Sequence, residues 1–322
     1  MKKILNQVFC LLILCVLITA IAIPAYAAGV IDPDQDVEFT ISYQTQNDGV
    51  PIPGAKFELY RVADVDAYAR MTLTDDFSGY PIRLDGLDQA GWDVLATTLK
   101  GHVWADSLTP EVSGETGADG CMTCTLKPGL YLVIGYRRTI GEYTYSATPF
   151  LVFMPEENLE KNTWDYTITA YPKAAGENNP SDDPDERLIT RKVLKIWDDA
   201  GKESGRPKEI TVQLMCDGKV YDTVVLNADN NWRYAWDNLE QDHDWLVTEK
   251  AVNGYTQAIT QEGITFTVKN TVTPETPADP VRPSDPTLPQ TGLLWWPVLP
   301  LVVVGLLLIV IGLFRRKGGE CD

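Results

Sequence analysis

Three polar residues in the second half of this 322-residue chain lie on strand faces that are otherwise apolar. In the β-type run 191–197, Lys195 shares a face with Val193 and Trp197. In Trp245–Glu249, Glu249 shares one with Val247, and in 264–270, Asn270 shares one with Phe266 and Val268. These groupings follow from the two-residue alternation of side chains along a strand. If the three faces pack inward, burial disfavours charge, so Lys195 becomes a neutral amine and Glu249 a neutral acid. A neutral amine is competent to attack the Asn270 carboxamide. Protonated Glu249 can hydrogen-bond that carbonyl, stabilise the developing oxyanion and shuttle protons as ammonia leaves. This is one self-directed turnover, and no enzymatic activity toward another molecule is expected.

Two other stretches carry possible chemistry. The first runs Trp164-Asp-Tyr-Thr-Ile168-Thr-Ala170-Tyr171-Pro172-Lys173. Alternation puts Trp164, Tyr166, Ile168 and Ala170 on one face of a last strand, and Pro172 stops the ladder. Lys173 then stands at the exit of an edge strand, open to an outside partner. The second is Leu288-Pro289-Gln290-Thr291-Gly292, followed by the uncharged apolar run 293–314 and by Arg315-Arg316-Lys317. As a helix rising ~1.5 Å per residue, that run spans roughly 33 Å, enough for a hydrocarbon core of ~30 Å. Trp295 and Trp296 suit its outer interface, and the cations direct the tail 315–322 to the cytoplasm.

The elements that must position these residues read as all-β. Residues 28–173 show short β-type runs at 37–43, 56–62, 121–126, 130–136, 143–153 and 164–170, separated by turn signals such as Asn47-Asp48-Gly49 and Lys127-Pro128-Gly129. A helix interrupts them. From Asp88, a plausible cap, apolar residues fall at Trp92, Leu95, Ala96, Leu99 and Val103, with Gly91 and Gly101 limiting it. The acidic segment 174–187 reads as a linker. Residues 188–272 form a smaller β domain with runs at 191–197, 210–216, 220–226, 232–236, 245–249 and 264–270. Short antiparallel strands at this density suit an immunoglobulin-like sandwich. The expected fold is therefore two immunoglobulin-like β-sandwich domains in tandem, the first with a short inserted helix. An N-terminal signal peptide and a C-terminal transmembrane helix flank them, and a Pro-rich spacer over 273–287 holds LPQTG off the folded part.

Residues 1–27 read as that signal: Lys2 and Lys3, an apolar stretch, then Ala25-Tyr26-Ala27, with cleavage between Ala27 and Ala28. The chain has 27 Lys and Arg against 45 Asp and Glu, net −18, which argues against nucleic acid as a partner and suits a solvated surface protein. Between signal and tail only Cys121, Cys124 and Cys216 remain, an odd number without a disulfide framework. Cys121-Met-Thr-Cys124 has no second pair, and His102 and His243 are the only histidines. No metal or cofactor is expected.

LPQTG with its apolar and basic flanks resembles the sorting signal of Gram-positive cell-wall proteins. The resemblance implies that a membrane sortase cuts between Thr291 and Gly292, holds the new carboxyl as a thioester and passes it to an amine. The stretch ending at Lys173 resembles the pilin motif of backbone pilins, with Ile168 and Ala170 in place of two valines, which implies that Lys173 supplies the amine for the next subunit. "LKIWDDAGKESGRP", "VVLNADNNWRYAW", "TEKAVNGY" and "FTVKNT" resemble the Cna B-type domain of collagen adhesins and pilins. This implies the inward packing and a Lys195–Asn270 isopeptide bond promoted by Glu249. The first domain has no lysine in its opening strand and no Asn before Tyr171, so no crosslink is expected there. The implied partners are sortase, other copies of the chain and peptidoglycan or its lipid-linked precursor, with the protein secreted and wall-anchored after a transient membrane stage. The alternative is a monomeric wall-anchored adhesin or ancillary pilin binding a host ligand.

Overall fold

Every residue of Gly129–Gly135 is buried, a continuous run that only a strand covered on both faces can carry. The structure, a computed structural model, describes residues 29–178, 187–201 and 203–273. The expected signal cleavage site, sorting motif, transmembrane run and tail lie outside the described residues. In chain order the strands are β1 (Val37–Ser42), β2 (Lys56–Val65), β3 (Met71–Leu73), β4 (Val112–Glu115), β5 (Cys121–Leu126), β6 (Gly129–Gly135), β7 (Arg138–Ile140), β8 (Tyr143–Ala147), β9 (Phe150–Met154), β10 (Glu156–Asn158), β11 (Thr163–Asp165), β12 (Thr167–Ala170) and β13 (Ala174–Asn178). They continue with β14 (Leu188–Asp198), β15 (Glu209–Cys216), β16 (Lys219–Asn227), β17 (Arg233–Glu240), β18 (Trp245–Glu249), β19 (Tyr255–Glu262) and β20 (Thr265–Val272). Between β3 and β4 lie a single turn, α1 (Asp75–Ser78), and the helix α2 (Gln89–Asp106). Apart from these and a 3-10 turn at Glu203–Gly205, the described residues are all-β.

Two sandwiches result. In the first, the sheet β12-β1-β5 faces β3-β2-β6-β9. Phe39 and Ile41 from β1, Phe57 and Leu59 from β2, and Tyr131 and Val133 from β6 fill the space between. The alternate residues of β6, Leu130, Leu132 and Ile134, turn the other way and meet Leu95, Leu99 and Val103 of α2. In the second sandwich, β17-β14-β20-β19 faces β16-β15-β18 around Val193, Val212, Leu214, Val247, Phe266 and Val268.

Helix α2 begins where Asp88 accepts a hydrogen bond from the Gly91 amide at 2.8 Å, as the sequence leads one to expect, and ends at Ser107 with φ 51°. It does not stop at Gly101. A Cβ on Gly101 would lie 3.2 Å from Thr248 Cβ and 3.4 Å from the Val247 carbonyl oxygen, so the missing side chain lets the helix approach β18 closely. The helix is thus shared by both sandwiches rather than enclosed in one, and its buried residues join a single apolar cluster running from Tyr60 and Leu132 to Ile259 and Phe266.

Polar contacts reinforce the junction. Lys100 Nζ lies 2.7 Å from Asp244 Oδ2 and 4.3 Å from the centre of the Trp104 ring. The outer edge of β19 is capped: the Gln257 amide donates to the Pro81 carbonyl at 3.0 Å and the Ile259 amide to Thr98 Oγ1 at 2.9 Å. An edge strand that would otherwise offer free backbone groups is closed by the preceding sandwich.

Three local differences from the sequence reading have simple causes. The run 143–153 is two strands, since Pro149 cannot donate to a ladder. Residues 174–178, expected at the start of a linker, form β13 and pair with β8, because small Ala174, Ala175 and Gly176 lie flat beside Tyr145. Strand β19 escaped notice because Gln257, a polar residue, occupies an inward position between Tyr255 and Ile259.

Candidate functional site

Strands β14 and β20 are neighbours in one sheet and run parallel, with Lys195 opposite Val268 and Trp197 opposite Asn270. Lys195 and Asn270 therefore project from the same face two residues out of step, a diagonal that a lysine side chain can span. Glu249 ends β18 in the facing sheet. The structure brings the three together across the core: Lys195 Nζ lies 2.9 Å from Glu249 Oε1 and 3.1 Å from Oε2, and Asn270 Nδ2 donates to Oε1 at 3.3 Å. The residues are 4%, 2% and 1% exposed, so water does not screen them.

Burial pushes the Lys195 ammonium below the usual lysine range, with the Glu249 charge opposing. Burial likewise pushes the Glu249 carboxyl up, against Lys195 and the Asn270 amide. One proton passed across 2.9 Å turns ammonium and carboxylate into amine and acid, and removes two charges from an apolar core. The Trp197 ring, 4.5 Å beneath Nζ, limits where the amine can go. Asn270 Oδ1 is buried without a hydrogen-bond partner, leaving an unfilled acceptor on the group that would be attacked. A half-turn of the amide presents that oxygen to the acid proton of Glu249.

The first sandwich contains a second buried carboxylate with different company. Glu58 accepts from Tyr60 and Tyr136 and pairs with half-exposed Lys56 at 2.6 Å. These contacts hold it below the usual carboxylate range despite burial, and no carboxamide accompanies them. It is a satisfied anion rather than an acid awaiting a substrate.

Lys173 is exposed and lies between β12 and β13. β12 is the edge of its sheet and pairs with β1 in parallel, Ile168 opposite Phe39. The strand expected over 164–170 is broken at Tyr166, whose hydroxyl accepts from the Asp32 amide at 2.7 Å, and Trp164 belongs to β11, its ring tilted at 44° to that of Phe153. Lys173 opens on a cleft of about 690 Å³ whose walls include Asp93 and Thr97 of α2, Phe150 of β9, Tyr171 and Thr260 of β19. Leu288, Pro289, Gln290, Thr291, Gly292, Ala27 and Ala28 lie outside the described residues.

Among the described residues Cys121, Cys124 and Cys216 are free, and burial raises the thiols of Cys124 and Cys216 to about 11, which makes them poor nucleophiles. The sequence reading missed two groupings. His243 sits between Asp217 at 2.6 Å and Glu240 at 3.1 Å, joined by chain reversals that no spacing discloses. Gln257 lies directly opposite Asn270 on β19 and donates from Nε2 to the Glu249 carbonyl at 3.4 Å.

With this geometry in view, known proteins give a matching frame. Residues 191–271 match the Cna protein B-type domain. This is a structural module rather than an enzyme, and its span holds Lys195, Glu249 and Asn270. A collagen adhesin of Staphylococcus aureus is 38% identical over 98 residues, 28% of this chain; the chain spans 8% of that relative's length. Among solved structures, a single B repeat unit of the collagen-binding surface protein of Staphylococcus aureus aligns over 74% of this chain and 99% of its own, at 18% identity and TM-score 0.26. The full-length major pilin SpaD of Corynebacterium diphtheriae aligns over 75% of this chain and 65% of its own, at 16% identity and TM-score 0.29.

Proposed function

We propose that this chain is a structural subunit of a covalent surface fibre. In this reading sortase cleaves after Thr291, anchors the chain to the wall and joins that carboxyl to Lys173 of another copy. The B-type match and the collagen adhesin relative support the coarser reading, a surface protein of the pilin or adhesin kind. The observation that carries the finer one is the setting of Lys173: exposed, placed between two paired strands, and open to a cleft of about 690 Å³. The base that activates it comes from the docked enzyme. Lys173 is then selected by its surroundings rather than by intrinsic reactivity.

Within each subunit, Lys195 and Asn270 form an isopeptide bond. The Lys195 amine attacks Asn270 Cγ while protonated Glu249 steadies the oxygen. The Cγ–Nδ2 bond breaks, and ammonia leaves with the proton that the amine gives up. The deciding experiment is an immunoblot of wall extracts boiled in detergent. A covalent ladder supports the fibre, and anchored monomer alone supports the adhesin alternative, which the collagen adhesin relative keeps in play.

A further inference from the structure

Two buried side-chain amides face each other beside the Lys195–Glu249 pair, and both are underfilled. Gln257 and Asn270 are directly opposed on antiparallel strands β19 and β20. The Gln257 amide N–H points off the sheet to Pro81, which makes this a non-hydrogen-bonded pair, the kind whose side chains stand closest, with Cβ atoms about 4.5–5.5 Å apart. Gln257 is 7% exposed and Asn270 1%. Asn270 Oδ1 has no hydrogen-bond partner, and the Gln257 side chain, which neighbours His102, makes one long bond of 3.4 Å from Nε2 to the Glu249 carbonyl. Buried amides are seldom left so poorly engaged.

Attack by Lys195 turns Asn270 Oδ1 into an oxyanion in a buried core. Glu249 can supply one donor to it. A tetrahedral oxyanion is best held by two, and Gln257 Nε2, loosely bound on the adjoining strand, is the neighbouring group able to turn to it. We propose that Gln257 is the second oxyanion donor for the crosslink, a proposal that rests on the isopeptide reading above. The preceding sandwich holds it in place. Pro81 fixes its backbone, Thr98 fixes that of Ile259 two residues on, and the ring of His102, stacked on Tyr80 at 4.2 Å, stands beside its side chain.

The test refolds residues 29–273 from denaturant and follows the loss of one ammonia by intact mass. Gln257→Leu keeps the volume and removes the donor, so the loss should slow about 100-fold. Gln257→Glu donates only when protonated, so its rate relative to the parent should climb as pH falls from about 8 to about 5, a profile that a merely structural role would not produce. Melting of Glu249→Ala with and without Gln257→Leu reports any folding defect apart from chemistry. Should Gln257→Leu not fold, the Gln257→Glu profile decides. An unchanged rate in Gln257→Leu, or a Gln257→Glu rate that tracks the parent at every pH, overturns the role of Gln257 and leaves the crosslink standing. Absence of ammonia loss from the parent overturns both.

Discussion

Lys195 Nζ and Glu249 Oε1 lie 2.9 Å apart with side chains 0% and 1% exposed, although they come from opposite sheets of one sandwich. A buried ion pair is a weak source of stability, because desolvating two charges offsets most of their attraction. An apolar pair would fill this core as well. What apolar residues cannot do is react, and Asn270, whose Nδ2 donates to Glu249 Oε1 at 3.3 Å, lies beside the pair to receive the amine.

The first prediction concerns that reaction. Purified residues 29–273 should be one ammonia lighter than their sequence mass, and Glu249→Ala should restore the full mass. The variant also lacks the crosslink and leaves Lys195 buried and unpaired, so it should unfold more easily than the parent. The unmodified sequence mass in a well-folded parent would remove the assignment.

For the fibre, Lys173→Arg keeps the charge and the stem but cannot attack at neutral pH. It should abolish the ladder while leaving wall-anchored monomer, whereas replacing Lys161 or Lys192 should leave the ladder intact. A normal ladder from Lys173→Arg would point to another acceptor.

The proposed anchoring rests on a different residue. Thr291→Ala should keep the protein in the membrane fraction with its tail attached. Wall-linked material in ordinary amounts from this variant would contradict a sortase cut at that bond.

Acid should loosen the junction of the two sandwiches through His102. Burial lowers this imidazole from 6.5 to about 4, so it stays neutral in the fold while the unfolded chain takes up a proton first. The stabilisation is therefore complete above about pH 6.5 and is eroded as pH falls toward 4. The difference amounts to about 3 kcal/mol. Urea unfolding at several pH values should show this slope, and His102→Gln should flatten that part of the profile. Equal pH dependence in the two proteins would refute it.

At Gly101 a small side chain is required. Gly101→Leu would drive its branches into Thr248 and the Val247 carbonyl, destabilising the junction by about 1–3 kcal/mol despite a better helix propensity. Gly101→Ala, where propensity and crowding oppose, should change little. Thermal melting of both variants distinguishes the clash from a general sensitivity of the helix.

Much of this site was legible because strands β14 and β20 alternate. A lysine between Val193 and Trp197, or an asparagine after Phe266 and Val268, declares its direction by parity alone. The helix was legible for the same reason, through the spacing of Leu95, Leu99 and Val103. Its destination was not, because periodicity tells which face is apolar but not which neighbour covers it. Gly101 read as a helix limit for want of knowing that Thr248 would lie against it. Gln257 was invisible as a functional residue because an inward glutamine breaks the apolar alternation by which its own strand would be recognised. Its pairing with Asn270 depends on an antiparallel register that composition does not disclose.

The parallel neighbours β14 and β20 carry a mechanical consequence. The chain enters this sandwich at the start of one and leaves at the end of the other, so tension along a fibre pulls the two past each other. Such a load is borne in shear by the rungs from Lys192–Thr265 to Asp198–Thr271 together, not peeled from them one by one. A bond from Lys195 to Asn270 lies across that same seam. It would route the force from one strand straight to the other, and the roughly 75 residues between them, some 250 Å of slack when drawn out, would never be paid into the fibre.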